Sequence, residues 1–418
     1  MKKKLVYVFI CLLLIVGAFL LKPDNVHTVL DQYRIESISE WKAYKSKIRF
    51  QIQDKIYGFL PKDLNVDFKV TKNQYLEAYN AHYKEIIISF EGIKKNILLS
   101  LFVPNQKIKP GVFLVLNRCG AHTLVDDLAV SIRPHAAHHK LCLSHQSRGS
   151  DKKHYAVKRV LESGYAFATI DGAELAADGY VHNGISKSEK NSDLISLLQT
   201  HEDKNKSWGT IAAWAYGYQL GSRYLKTDYD INSEQIIASG HSRRGKAALL
   251  AAALDENISM VIPHQSGTGG TASLKNTLFR ESPKQMLGKS WIYSFIGDPG
   301  TLSHFFSKQF KKEVKKKSID ASHMIALVAP RPMLDTQGVK DFWAGGKSAW
   351  RMLKEANSVY RLHGVEGLKK KKWFGSSNEP LSVNNTGLLH QYYFQTGHGL
   401  NNNYWNLSIQ FADLHFKN

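Results

Sequence analysis

Cysteine is scarce in this chain, with three in 418 residues and no pair spaced Cys-x-x-Cys. That excludes a small fold stapled by a disulfide framework and gives no support to a structural zinc site. Proline- or serine-rich linkers are missing, and so is any internal repeat, so nothing divides the chain. Long apolar runs are absent except for one at the start. Acid is the last shortage: 36 Asp and Glu stand against 56 Lys and Arg, a net charge of +20. Such a balance favours an anionic partner, whether nucleic acid, anionic lipid or acidic polysaccharide. The lysine clusters at 311–312, 315–317 and 369–372 fall in what read as long loops. They have no interleaved aromatics and no reading helix, which argues against nucleic acid.

The one long apolar run covers residues 5–21 and follows Met1 and three lysines. A positive start before such a run is the pattern of an export signal or signal anchor. Val16, Gly17 and Ala18 offer a cleavage site, while Phe19, Leu20 and Leu21 extend the run almost to bilayer-spanning length. The expectation is an exported protein, periplasmic or secreted, with residues 1–21 either removed or kept as an inner-membrane anchor. Cys11 has no lipobox before it, which speaks against a lipoprotein. Beyond the leader only Cys119 and Cys142 remain; an oxidising compartment lets them pair, and two unpaired buried thiols are the alternative.

The remainder is 43% hydrophobic and 22% charged over the whole chain, a composition with ample core. From about residue 85 short apolar runs alternate with helical patterns. Strands are expected at 86–88, 97–103, 112–116, 165–170, 236–238, 260–262, 333–334 and 391–394. Helices are expected at 155–162, 208–225, 245–254, 348–356 and 404–416. Short buried strands alternating with helices predict a mostly parallel central sheet sandwiched between helices, in a single α/β domain over 85–418. Residues 22–84 read as a polar, partly helical lead-in with no assigned role.

One stretch carries chemistry. Gln235 to Leu250 reads strand, tight turn, helix, with Gly240-His241-Ser242-Arg243-Arg244-Gly245 at the turn. A Gly-x-Ser in that context is a nucleophile elbow, which lifts the serine hydroxyl off the end of a sheet. The second glycine comes one residue later than in Gly-x-Ser-x-Gly. In an α/β-hydrolase fold the nucleophile, acid and histidine come in that chain order, after the fifth, usually the seventh, and the eighth strand. The last strand runs into Thr396-Gly397-His398-Gly399, and His398 alone of 18 histidines occupies that loop. Asp341, after the seventh of the eight expected strands, is the expected acid, with Asp335, inside that strand, as runner-up. His241 is expected to point away from Ser242, and His264 and His323 to be structural.

Gly240-His241-Ser242-Arg243-Arg244-Gly245-Lys246 resembles the Gly-x-Ser-Arg-x-Gly-Lys signature of the glucuronoyl esterases, carbohydrate esterase family fifteen. Trp208 to Gly217, Ser266 to Gly270, Ala329-Pro330-Arg331-Pro332, Asp341-Phe342-Trp343-Ala344 and Val359 to Leu362 resemble other motifs of its bacterial branch. The resemblance implies Ser242 as nucleophile, His398 as base and Arg243 as an oxyanion donor. It places Lys246 on the uronate hydroxyls and Trp343 along the sugar pocket. Glu281, one residue out of register, matches a sugar-binding Glu. Many members carry a catalytic Glu where this chain has Gln265, which is therefore set among the substrate-facing residues. Others place the acid two residues before the pocket Trp, where Asp341 stands.

The implied reaction is hydrolysis of the C6 ester of (4-O-methyl-)glucuronic acid residues, as in lignin–glucuronoxylan links. The implied partner is a glucuronate-bearing polysaccharide or a small uronate ester, with no metal, no cofactor and no nucleic acid. Membrane attachment through 5–21 and the oligomeric state stay open. Two other readings stand beside it: an acetyl or other carbohydrate esterase of the same fold, and a membrane-anchored polysaccharide-binding protein without turnover.

Overall fold

The computed structural model describes residues 28–62, 64–133, 147–176, 194–202, 206–275, 281, 319–369, 381–382 and 384–417. The leader, Cys142 and the lysines of 311–317 and 370–372 lie outside them. Among the described residues there are nine strands: β1 Val66–Leu76, β2 Ala81–Phe90, β3 Ile93–Pro104, β4 Val112–Asn117, β5 Ala166–Asp171, β6 Ile236–His241, β7 Met260–His264, β8 Met333–Gly338 and β9 Leu389–Phe394. They form one sheet in the order β1-β2-β3-β5-β4-β6-β7-β8-β9. Pairings from β1 through β3 to β5 are antiparallel, and every pairing from β5 to β9 is parallel. Every strand expected from the sequence is there.

Strand alternation sets the layers. In β4, Val112, Leu114 and Leu116 join one core, while Phe113 and Val115 join the other. The first core is covered by α1 (Ile38–Ile52), α2 (Thr210–Leu225), α3 (Arg243–Leu254), α4 (Ala321–Val328) and α5 (Gly346–Leu362). The second is covered by α6 (Asn402–Phe416) and the short helix Val157–Glu162. With both faces covered, the inner strands are buried almost throughout, apolar in β4 up to Asn117 and carrying buried polar residues toward the ends of β5, β6 and β8. The helix expected at 155–162 is interrupted at Ala156, which takes a φ of 45° between Lys152–Tyr155 and Val157–Glu162.

The domain starts earlier than residue 85, which falls inside β2. β1 is an edge strand, mostly exposed along its length and carrying Lys69 and Lys72, so it shows no apolar run to announce it. Ahead of it, α1 buries Trp41, Ile48 and Ile52 completely in the first core. The lead-in is therefore part of the body. Its end reaches further: the Tyr57 hydroxyl donates to the Gly269 carbonyl, and Phe59 bridges to Ser207. Cys119, just beyond β4, is 2% exposed and disulfide-bonded.

Candidate active site

β6 ends at His241, and the chain turns through Ser242 directly into α3. Ser242 holds φ 57° and ψ −124°, a left-handed geometry that a serine adopts only when its surroundings impose it. Two contacts impose it. The Ser242 N–H donates to the His264 carbonyl at 2.8 Å, and Lys246 N–H closes the first helical turn on the Ser242 carbonyl at 3.1 Å. The glycines make room for the turn. A Cβ on Gly240 would lie 2.4 Å from the Arg244 carbonyl oxygen, and one on Gly245 would lie 2.8 Å from that of Gly240. Strand and helix thus meet at residues 240 and 245, so the second glycine is needed one place later than in the commoner pattern. Ser242 makes no side-chain cap on α3, which leaves its hydroxyl uncommitted at the positive end of a helix.

His398 and Asp341 are brought together as expected. The His398 Nδ1–H donates to Asp341 Oδ2 at 2.6 Å, with the carboxylate almost wholly buried and the imidazole 39% exposed. Asp341 Oδ1 accepts the Ala344 N–H at 3.1 Å, so both carboxylate oxygens are engaged and the side chain is fixed. Asp335 faces elsewhere. It is fully buried in β8 and accepts from Thr271, Gln337 and Gln391, and burial pushes its carboxyl up to about 6. It bonds no histidine, and of the two candidates Asp341 is the one joined to His398.

Lys246, Glu281 and Trp343 also converge. Lys246 Nζ donates to the Ser266 carbonyl at 2.6 Å, the Thr268 carbonyl at 2.7 Å and Glu281 Oε2 at 2.7 Å. Burial holds its ammonium below the usual lysine value, against the pull of Glu281. Its three protons are thus matched to three protein acceptors, so a sugar hydroxyl would have to displace one of them. Glu281 N–H donates to the Trp343 carbonyl at 3.1 Å. Trp343 is 47% exposed and its neighbour Phe342 77% exposed, a large aromatic surface beside the Asp341 carboxylate. Arg243, the first residue of α3, is half-buried next to Ser242.

Comparisons with known proteins point to one family. Residues 159–364 match a family model described as glucuronyl esterase, fungi. The chain is 29% identical over 408 residues to the carbohydrate esterase MZ0003 of an unknown prokaryotic organism, covering 94% of this chain and 89% of the other. Its fold matches a promiscuous CE15 esterase from a marine bacterial metagenome with a TM-score of 0.72 and 26% identity, over 91% of this chain and 94% of that one. The chain belongs to the glucuronoyl esterases. A fungal relative, the 4-O-methyl-glucuronoyl methylesterase 1 of Phanerochaete chrysosporium, is 30% identical over 160 residues, or 37% of this chain and 33% of its own.

Within this glucuronoyl-esterase scaffold Gln265 and His241 are held by contacts that spacing does not announce. Gln265 is 1% exposed, and its amide is spent on the loop that carries His398. His241 lies against the same loop. Its ring lies 4.5 Å from that of His398 and 5.2 Å from that of His264, centroid to centroid. His241 is pushed well below the ordinary imidazole value, first by burial and then by the imidazoles of His264 and His398. His264 is lowered to about 4, chiefly by burial. Two neutral imidazoles therefore underlie the exposed one. The signal for them was in the sequence, as His241 next to the serine and His264 ending the next strand, but spacing alone does not tell a stacked histidine from a core one.

Proposed function

We propose that this enzyme is a serine esterase that hydrolyses the C6 ester of glucuronate or 4-O-methyl-glucuronate residues through an acyl-enzyme. One observation carries the reading: His398 donates from Nδ1 to Asp341, and its loop and the positive-φ Ser242 both bond His264. A carboxylate only accepts, so the Nδ1 proton is fixed on the Asp341 side and Nε2 is left unprotonated to take the Ser242 proton. As Oγ attacks the C6 carbonyl, the proton passes to Nε2 and negative charge gathers on the carbonyl oxygen. The α3 N-terminus and the Arg243 guanidinium would meet that charge, which is where donors act most strongly. His398 then returns the proton to the departing alcohol. A water attacks the acyl-enzyme by the same route, releasing glucuronate and restoring Ser242. Lys246 and Glu281 would set the floor of the uronate pocket and Trp343 its wall.

The net charge of +20 suits an acidic polysaccharide as carrier of the ester, and the leader at 1–21 supports export. Among the described residues no helix is long and apolar enough to cross a membrane. The match to an esterase described as promiscuous favours a second reading, in which acetyl esters are also cleaved. Hydrolysis of benzyl and methyl glucuronate, with an acetylated sugar alongside, decides between them. Wild type should turn over the glucuronate esters, and Ser242→Ala should lose on the order of 10⁵-fold in kcat. Turnover of acetyl esters alone would overturn the substrate class, and an unaffected Ser242→Ala would overturn the mechanism.

A further inference from the structure

The two residues at the end of β7 hold both halves of the candidate catalytic pair. The His264 carbonyl takes the Ser242 N–H at 2.8 Å. The His264 ring donates from Nε2 to the Gly399 carbonyl at 2.8 Å and accepts at Nδ1 from the Thr336 hydroxyl at 2.6 Å. Gln265 follows with φ 47°, fixed by its own N–H on the Thr336 carbonyl at 2.8 Å. Its amide then spans His398. Nε2 donates to the Gly397 carbonyl at 2.8 Å, and Oε1 accepts the Gly399 N–H at 2.8 Å. The same Oε1 accepts from His241 Nε2 at 3.2 Å. The packing here has no slack: a Cβ on Gly338 would lie 2.6 Å from Gln265 Nε2 and 2.5 Å from the Thr396 carbonyl oxygen.

We propose that Gln265 is a positioning residue whose amide clamps the backbone on both sides of His398 and, with His264, sets the imidazole against Ser242. This rests on the catalytic reading of Ser242 and His398 given above. The site requires one donor, toward the Gly397 carbonyl, and one acceptor, toward two N–H groups. A glutamine side chain supplies that pair. A carboxylate presents two acceptors and would set one of them against the Gly397 carbonyl oxygen. A carboxylic acid, which keeps one proton to donate, fits again. The charge-neutral amide is therefore a requirement of the loop as it is packed.

Two variants test the clamp. Gln265→Met keeps the bulk and removes the donor and acceptor, and kcat on methyl glucuronate should fall about 10–100-fold while KM stays within about twofold. Gln265→Glu should approach wild-type kcat at low pH and lose it as pH rises and the carboxyl ionises, a limb that wild type lacks. A structural role alone would lower activity equally at every pH. Wild-type kcat in Gln265→Met, or a wild-type pH profile in Gln265→Glu, overturns the proposal. Hydrogen exchange at the Gly399 amide reads the clamp without substrate and before any substitution. Protection in wild type that is lost in Gln265→Met supports the clamp even if the ester were left intact, and free exchange in wild type overturns it.

Discussion

The two ends of α3 are treated in opposite ways. At its N-terminus the chain enters through a strained serine that makes no side-chain cap. At its C-terminus a single partly buried side chain, Arg331, gathers the loose carbonyls. Arg331 Nε donates to Val328, Nη1 to Asp255 and Ile258, and Nη2 to Ala252 and Leu327, at 2.6 to 3.1 Å. All five guanidinium protons are used, joining the end of α3 to the end of α4. Tyr360 on α5 donates to the Arg331 carbonyl at 3.0 Å. One arginine in the sequence motifs is thus wholly absorbed by the scaffold, while Arg243, at the other end of the same helix, stands next to Ser242 at the elbow. Two arginines of the sequence motifs mark opposite ends of one helix.

Three experiments would break or sharpen that contrast. The largest effect is expected at the open end. Asp341→Asn should lower kcat by on the order of 10³–10⁴-fold, because the amide no longer fixes the Nδ1 proton. Asp335→Asn should leave kcat unchanged, and equal losses in the two variants would mean that the acid had been misplaced.

At the closed end the effect should be on stability and not on rate. Arg331→Lys keeps the charge but offers three donors for five carbonyls, and should cost about 3–5 kcal/mol of unfolding free energy. Urea denaturation measures this, with KM of the folded fraction unaltered; a fall in kcat without a fall in stability would contradict the assignment of that end.

The smallest effect is a pH dependence of stability. His264 is held at about 4 and His323 at about 3, both by burial, below the value of about 6.5 in the unfolded chain. Their folded values are depressed, so the unfolded state binds more protons as pH falls. Stability is full above about 6.5 and is lost toward 4, by about 2 kcal/mol per histidine at pH 5. Replacing His323 by Gln should flatten part of the slope between pH 7 and 5, and an unchanged slope would show that the ring is protonated in place.

The parts of the molecule legible in the sequence are those with local signatures. The inner strands open on short apolar runs because both faces are covered. Ser242 sits in a turn whose glycines are adjacent in sequence, and His398 and Asp341 follow from strand order. β1 was not legible, since an edge strand with alternating polar residues looks like a loop. The bond from Gln265 to Gly399 was not legible either, because it joins residues 134 apart and depends on how two loops meet. The satisfied ammonium of Lys246 belongs to the same class: the family resemblance implied a sugar contact, while its carbonyl partners come from a turn about twenty residues further on.

The Tyr57 hydroxyl reaches the Gly269 carbonyl across 212 residues, in the turn whose Ser266 and Thr268 carbonyls hold Lys246. A ribosome makes Tyr57 long before that turn exists. The first-made segment must wait, with the apolar side chains of α1 uncovered, until more than half of the chain has followed. The cradle around the Lys246 ammonium can close only then, so a chain halted before that turn would have the sheet's first strands and a lysine with its carbonyl partners still unmade.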